Sequence, residues 1–446
     1  MKLTIKEILQ ITNGNLITGK DLSAKFHIST DTRTILNDDI FLPLVGENFD
    51  GHNFINKALE RGCIAYITEK NEPPSTSADF IISVKNTIEA YLSIARFVRR
   101  KINPKVIAVT GSSGKTTVKE FIYAVLSTSF NAHKSLLNHN NEIGLCQTIL
   151  SMPESTDFAV IEMGMRGLGE IELLSKYAEP DIAVITNVGR AHLGRLKSIE
   201  NIAAAKCEIT AHLKKSGVFL AFDDDLIKKT SNWQGKTIFY GKEYELTCCE
   251  ENLTGFIYKG EEYKIPVMGE YNVINAIAAI ETGKIADISY ENIKKGLLNY
   301  MPVGDRGKII KLTNGIKLIV DCYNANPDSL KASINSVMQA YKNSKVVLVL
   351  GDMAELGDQE QGLHRETGTF ISQYPVYSLI TVGEKAKFIA ESVKDTNIKV
   401  NSFLTNTEAA NFLLNNLEKD SVLFFKASRC MKFEEISNIL LAKSHF

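Results

Sequence analysis

The chain has 446 residues, 44% of them hydrophobic and 23% charged, and its 51 Lys and Arg nearly balance its 52 Asp and Glu. That length holds roughly two to four globular domains, and a net charge of −1 gives no electrostatic case for nucleic acid or an anionic membrane as the main partner. Seven scattered cysteines with no C-x-x-C pair read as reduced thiols rather than a disulfide framework or a zinc site.

The first stretch, residues 1–103, opens on MKLTIKEILQITNG, which charge interrupts too often for a signal peptide. No apolar run approaches the roughly 18 residues needed to cross a bilayer, so the expectation is a cytoplasmic protein without membrane insertion. Short β-like runs stand at Asp39–Val45, Cys63–Thr68 and Asp79–Val84, with two modest helical patterns between and around them. The stretch ends in ARFVRRKINP, a basic helix tail that Pro104 stops, which marks a domain boundary.

Residues 104–303 alternate strand and helix. KVIAVTG, DFAVIEMG, DIAVITNVG and GVFLAFD are short apolar, β-branched runs ending in Gly or Asp. Such runs suit strands buried on both faces of a parallel sheet with helices on either side. Ligands in such sheets bind beyond the carboxyl ends of the strands. Residues 236–266 read as a small β element, and GEYNVINAIAAIETGKIA as helix. A third unit, residues 304–446, starts near PVGDRGKI and repeats the alternation with KLIVDCYNANP, KVVLVLGDM, YSLITVG and SVLFFKAS. The expected class is therefore α/β, in three domains.

Chemistry concentrates at the strand ends. In KVIAVTGSSGKTTVKEF the usual phosphate-loop spacing, G-x-x-x-x-G-K-[ST], would put its first glycine at Val109; Gly111 comes two residues later and the turn is shorter. Strand, glycine turn and helix still form a phosphate cradle, with Lys115 for the β- and γ-phosphates and the Thr116 hydroxyl for Mg²⁺. The bland alternative is a glycine turn with a chance lysine. Glu162 ends the second strand, where a carboxylate serves a Mg²⁺ shell or simply a solvated loop. His192 follows the third strand; a lone histidine is more often structural. Lys206, on a helix, reads as a surface lysine on chemistry alone.

With these four elements in this order the chain resembles the Mur ligase family over essentially its whole length. The shortened loop matches that family's phosphate motif, [T/S]-G-[T/S]-x-G-K-[T/S], over Thr110, Gly111, Ser112, Ser113, Gly114, Lys115 and Thr116, with Thr117 next. The resemblance implies an N-terminal domain that holds a uridine-linked substrate, a central ATPase domain with a mostly parallel sheet, and a C-terminal Rossmann-like ligase domain. It implies ATP and two Mg²⁺ ions: Thr116 and Glu162 for the first, Glu162 and His192 for the second. Lys206 matches the lysine that becomes N-carboxylated, since a lysine has donors only and cannot itself ligate a cation.

By the same resemblance Asn275 contacts adenine, and Arg306 and Asp321 close over ATP. Ser29, Thr30, Asp31, Arg33 and Gly46 fall in segments that hold the uridine-linked substrate, although Ser, Thr and Asp clusters also serve commonly as caps and turns. Asn138, Asn140 and Asn141 in LNHNNEIG match positions that contact the nucleotide substrate, Tyr323, Asn324, Asn326 and Ser329 match further substrate-binding positions, and Lys426, Ser428 and Arg429 fall in the loop around the growing peptide. DCYNANPDS and LGDMAELGDQEQGLH look most like the members that add D-alanyl-D-alanine. The implied partners are UDP-N-acetylmuramoyl-tripeptide and D-alanyl-D-alanine, acted on by a monomer through an acyl phosphate.

Two positions depart from the pattern: Gly194 stands where many members are acidic, and Ala427 replaces a glycine in KASR. His364 or a water is left as the base for the attacking amine. Closure is expected to precede chemistry, with the last domain swung away until ligands arrive. The rivals are a sister muramyl ligase or a folylpolyglutamate synthase, and, from another class, an ATP-driven switch with no use for His192 or Lys206.

Overall fold

The computed structural model describes residues 1–136, 138–304, 306–312, 315–393 and 397–443; Leu137, which heads the asparagine-rich loop, and Asp305, beside Arg306, lie outside the described residues. Three six-stranded sheets follow one another along the chain. In the first, Lys25–Ser29, Asp39–Phe41, Ala65–Thr68 and Phe80–Ser83 run parallel, and Leu3–Thr4 and Asn15–Thr18 close the two edges antiparallel. The helix Thr87–Ile102 follows. The Asn86 side chain caps its start by accepting from the Glu89 N–H, and Asn103, left-handed at φ 54°, ends it just before Pro104.

That helix fastens the first domain to the second. Arg96 and Arg100 both pair with the Glu179 carboxylate. Arg99, 2% exposed, donates to the carbonyls of Ala178 and Glu179 at 2.8 and 2.9 Å. Burial alone would raise the Glu179 pKa, but the Arg100 and Arg96 hydrogen bonds win and hold it at about 2. A depressed folded-state pKa gives stability that is complete above the ordinary carboxylate range and is lost as pH falls toward about 2. Glu179→Gln is expected to cost about 1–2 kcal/mol at neutral pH. Thermal unfolding checks this, the gap between variant and parent closing in acid.

The central sheet runs Ala132–Lys134, Phe158–Glu162, Lys105–Thr110, Ile182–Ile185, Val218–Phe222, Lys236–Tyr240, all parallel. The middle strand buries both faces, as its unbroken apolar run requires. Val106 and Ala108 pack with helices Thr87–Ile102, Glu142–Leu150 and Glu170–Ala178; Ile107 and Val109 pack with helices Lys115–Leu126 and Glu270–Ile285. From this strand the chain first builds one side of the sheet and then crosses to the other. The order reverses there, so a crevice forms at its carboxyl end. Glu162 lies opposite Val109, and Ile185 opposite Thr110, on the two sides of that crevice.

The small β element expected over 236–266 divides in two. Lys236–Tyr240 is the sixth strand of the parallel sheet, and only Tyr244–Glu250, Leu253–Tyr258 and Glu261–Ile265 form the antiparallel unit. Lys236–Tyr240 is an edge strand with half-exposed residues, so its pattern imitates a hairpin. In the C-terminal sheet the four expected strands are the inner ones and run parallel. The edges, Lys308–Lys311 and Lys399–Phe403, are too polar to show as apolar runs.

Candidate active site

The middle strand ends at Thr110, turns through Gly111–Gly114 and enters the helix Lys115–Leu126. Space dictates both glycines. A Cβ on Gly111 would stand 1.8 Å from Thr186 Oγ1, and Gly114, left-handed at φ 77°, would put one 2.6 Å from Asn275 Oδ1. The loop is pinned from behind by the segment after Ile182–Ile185. Ser112 Oγ accepts from the Gly189 N–H at 2.8 Å and donates to its carbonyl at 2.9 Å. Asn187 Oδ1 accepts from the Ser113 N–H at 3.0 Å, and its amide donates to Ser113 Oγ at 3.0 Å. The two serines thus fasten the loop with their side chains. First-turn N–H groups of the helix have no intrahelical carbonyl, which with the dipole makes this end an anion cradle. Lys115 Nζ bends back to the Gly111 carbonyl at 2.8 Å. Thr117 meets the Tyr300 hydroxyl on the flank.

Glu162 is buried at the crevice. It accepts from Thr116 Oγ1 at 2.8 Å and from the Asn140 amide at 3.1 Å. Lys119, a residue the sequence reading passed over, completes this cluster. Fully buried, its Nζ lies 2.7 Å from the Ser135 carbonyl, 3.1 Å from Glu120 Oε1 and 3.9 Å from Glu162 Oε2. Its position one turn after Lys115, in KTTVK, was the available signal.

Lys206 is no surface lysine. It sits 1% exposed on the helix Ile199–Cys207. Burial, then the neighbouring charge of Lys115, push its pKa well below the ordinary lysine value. Its ammonium has no hydrogen-bond or ion-pair partner among the described residues. His192 is left-handed at φ 64°. Its Nδ1 lies 2.5 Å from Glu355 Oε2 of the C-terminal domain, and Nε2 makes no hydrogen bond among the described residues. Gly194 is explained here: a Cβ would stand 2.8 Å from the Gly357 nitrogen.

The C-terminal domain is docked, not swung away. Arg190 pairs with Asp328 at 2.6 Å and Glu366 at 2.8 Å across the crevice. The Arg306 guanidinium lies 3.8 Å over the Tyr323 ring, close enough to Lys115 to help depress its pKa after burial, against Glu162, which raises it. Asp321, expected on ATP, and Lys426, expected on the peptide, form one ion pair at 2.5 Å.

Other singled-out side chains serve local structure. Asn326 and Ser329 form a capping box on the helix Pro327–Ala340, and Asn141 caps Glu142–Leu150. Asn324 Oδ1 accepts from the Ala325 N–H, and the Asn138 carbonyl from the Asn140 N–H. Ser428 Oγ accepts from the Ala354 N–H at 2.8 Å, and Arg429 pairs with Glu434. The Ala427 methyl fits because Gly351 has none of its own: a Cβ there would lie 2.7 Å away. On the first domain, Asp31 and Arg33 pair at 2.6 Å, Ser29 Oγ donates to the Asp31 carbonyl, Thr30 meets Tyr91, and Gly46 faces open space. His364 is engaged at both nitrogens, donating from Nδ1 to the Glu360 carbonyl at 2.7 Å and accepting at Nε2 from the Met353 N–H at 3.0 Å. Of the two bases left open, His364 or a water, His364 stands here as a buried pin with both ring nitrogens occupied.

Among the described residues no group of three or more His, Cys, Asp and Glu side chains could hold a metal ion by itself. Mg²⁺ does not require one: it commonly takes one or two carboxylates and completes its shell with phosphate oxygens and water. Glu162 and the Thr116 hydroxyl beside the phosphate cradle are donors of that kind.

Three family models match the sequence: the Mur ligase family catalytic domain over residues 26–104, the Mur ligase middle domain over 109–283, and the Mur ligase glutamate ligase domain over 305–429. The chain is 39% identical, over 99% of both sequences, to the UDP-N-acetylmuramoyl-tripeptide--D-alanyl-D-alanine ligase of Bacillus subtilis. Among solved structures, MurF from Acinetobacter baumannii superposes with a TM-score of 0.90 at 30% identity, covering 99% of both chains. The MurF ligase of Thermotoga maritima, in complex with ADP, gives 0.84 at 26% identity, covering 94% of this chain and 98% of the other.

Proposed function

The chain belongs to the Mur ligase family, and from that footing we propose that it joins D-alanyl-D-alanine to UDP-N-acetylmuramoyl-tripeptide with hydrolysis of ATP to ADP and phosphate, a step of peptidoglycan precursor synthesis. One observation carries the reading beyond any nucleotide-driven switch: a second lysine, Lys206, is buried without a partner beside the loop lysine Lys115. A switch has no use for that costly arrangement. We assign residues 1–103 to the uridine-linked substrate, 104–303 to ATP and 304–446 to closure over both. Free cysteines and the absence of any described helix long and apolar enough to cross a membrane suit the cytoplasm as the site of reaction.

In the first step a terminal carboxylate oxygen of the tripeptide attacks the γ-phosphorus in line. The bond to ADP breaks, leaving an acyl phosphate. Lys115 exchanges the Gly111 carbonyl for the γ-phosphate, and Arg306 brings a second cation from the C-terminal domain. Thr116 and Glu162 would hold one Mg²⁺, and Glu162 and His192 a second, and such ions would supply charge neutralisation for the phosphoryl group. Lys206 contributes as an N-carboxylated side chain. Burial beside Lys115 favours the neutral amine, which adds to carbon dioxide and gives up its proton to water, and the resulting carbamate is an anion next to a cation. In the second step the amine of D-alanyl-D-alanine attacks the acyl carbon and phosphate departs with the former carboxylate oxygen. With His364 engaged, water takes the amine's proton.

Asn275, Asp321 and the loop from Thr110 to Thr117 hold the nucleotide in this reading. Ser29, Thr30, Asp31, Arg33 and Gly46 hold the uridine-linked end, and the asparagine loop and the Tyr323–Ser329 and Lys426–Arg429 segments the peptide. Phosphate release tests the assignment. It is expected only with ATP, the tripeptide nucleotide and D-alanyl-D-alanine together. Release with a single amino acid on a shorter acceptor indicates a sister ligase; release from ATP alone indicates a switch.

A further inference from the structure

The His192 ring owes its orientation to the other side of the crevice. The residue starts a helix of only four residues, Leu193–Leu196, in a left-handed conformation. None of the described residues of its own domain hydrogen-bonds the ring; its one partner is Glu355 Oε2. Glu355 is placed for that contact by its backbone. It too is left-handed, at φ 63°, and its carbonyl accepts from the Gly194 N–H at 2.9 Å. Left-handed backbone is unfavourable for a non-glycine residue, and here it occurs on both sides of one contact.

Two glycines allow the backbones to meet. A Cβ on Gly194 would stand 2.8 Å from the Gly357 nitrogen, and one on Gly357 would stand 2.7 Å from Gly194 Cα. The charges facing Glu355 from the central domain are His192, Arg195 and Arg166. A few residues away the same two domains are held by a separate link, Arg190 to Asp328 and Glu366, so the domains do not need Glu355 merely to stay together.

Histidines that ligate metals usually give their other ring N–H to a carboxylate or carbonyl, which fixes tautomer and direction. Nδ1 bound to Glu355 leaves the Nε2 lone pair for a metal. We infer that Glu355 is a positioning residue: it carries on the C-terminal domain the acceptor that orients His192, so that the ring is set for metal binding only while the two domains are docked. This rests on the reading of His192 as a ligand of the second metal ion. Docking then does more than exclude water; it finishes the metal site.

The test is Mn²⁺ binding in the presence of a non-hydrolysable ATP analogue, followed by electron paramagnetic resonance, in Glu355→Gln, Glu366→Gln and His192→Ala. Glu355→Gln is expected to weaken the second Mn²⁺ by about 10- to 100-fold, whereas Glu366→Gln, which loosens the same interface without touching the ring, leaves it unchanged. Parental affinity in Glu355→Gln, with His192→Ala weakened, overturns this inference and leaves the ligand reading standing. Equal weakening in Glu355→Gln and Glu366→Gln also overturns it, because docking alone would then explain the effect. No weakening in His192→Ala removes the ligand reading and the inference with it.

Discussion

Lys206→Met is expected to lower ligase turnover by about three orders of magnitude while leaving the protein as stable as the parent or more so. The two effects have one cause. Lys206 is fully buried, and no carboxylate or carbonyl among the described residues receives its ammonium. A buried group without compensation costs stability, and an apolar side chain of similar volume removes that cost. A residue that burdens the fold is retained for function. Turnover, ADP affinity and thermal unfolding on the same preparation check the prediction: turnover falls, ADP binding persists and the melting temperature holds or rises. A variant that keeps its turnover would return Lys206 to packing. In the parent, labelled bicarbonate should give a carbamate resonance that Lys206→Met lacks.

Lys119→Met should do the opposite to stability. The two lysines are equally buried, but Lys119 is surrounded: the Ser135 carbonyl at 2.7 Å, Glu120 at 3.1 Å and Glu162 at 3.9 Å. Removing one partner of a buried ionic cluster leaves the others uncompensated and typically costs about 3–5 kcal/mol. Lys134 still pairs with Glu120, so the larger injury falls on Glu162. That carboxylate would lose one of its two nearby cations, with only Lys115 left, and its definition at the crevice, and turnover should fall with stability. Denaturant unfolding measures the loss. Adding Glu162→Gln to Lys119→Met should recover part of the stability, because the stranded charge is then gone; no loss in the single variant would show that Lys119 is not part of the charge balance.

The strands that make the crevice were legible because burial on both faces leaves an unbroken apolar run: VIAV, FAVI and IAVI announce themselves. Edge strands such as Ala132–Lys134, Lys236–Tyr240 and Lys399–Phe403 face solvent on one side, lose that signature and were missed or misplaced. The loop residues were legible from spacing, since a glycine turn into G-K-T has few other uses. What spacing does not carry is which side chain meets which across domains. Nothing in the sequence tells that Asp321 and Lys426, 105 residues apart, form a pair, or that Glu355 reaches His192 across 163 residues. Burial of Lys206 was equally hidden, because the alanines before it suit an exposed helix as well as a packed one. Asn326 and Ser329 show the converse: residues conspicuous in the sequence whose side chains close a helix end.

The most direct test of the central claim, ligation through an acyl phosphate, follows the oxygen. With the terminal carboxylate of the tripeptide nucleotide labelled in heavy oxygen, one turnover with ATP and D-alanyl-D-alanine should place one labelled oxygen in the released inorganic phosphate, because the oxygen that attacked phosphorus leaves with it. Unlabelled phosphate, released while the amide forms, would contradict the account.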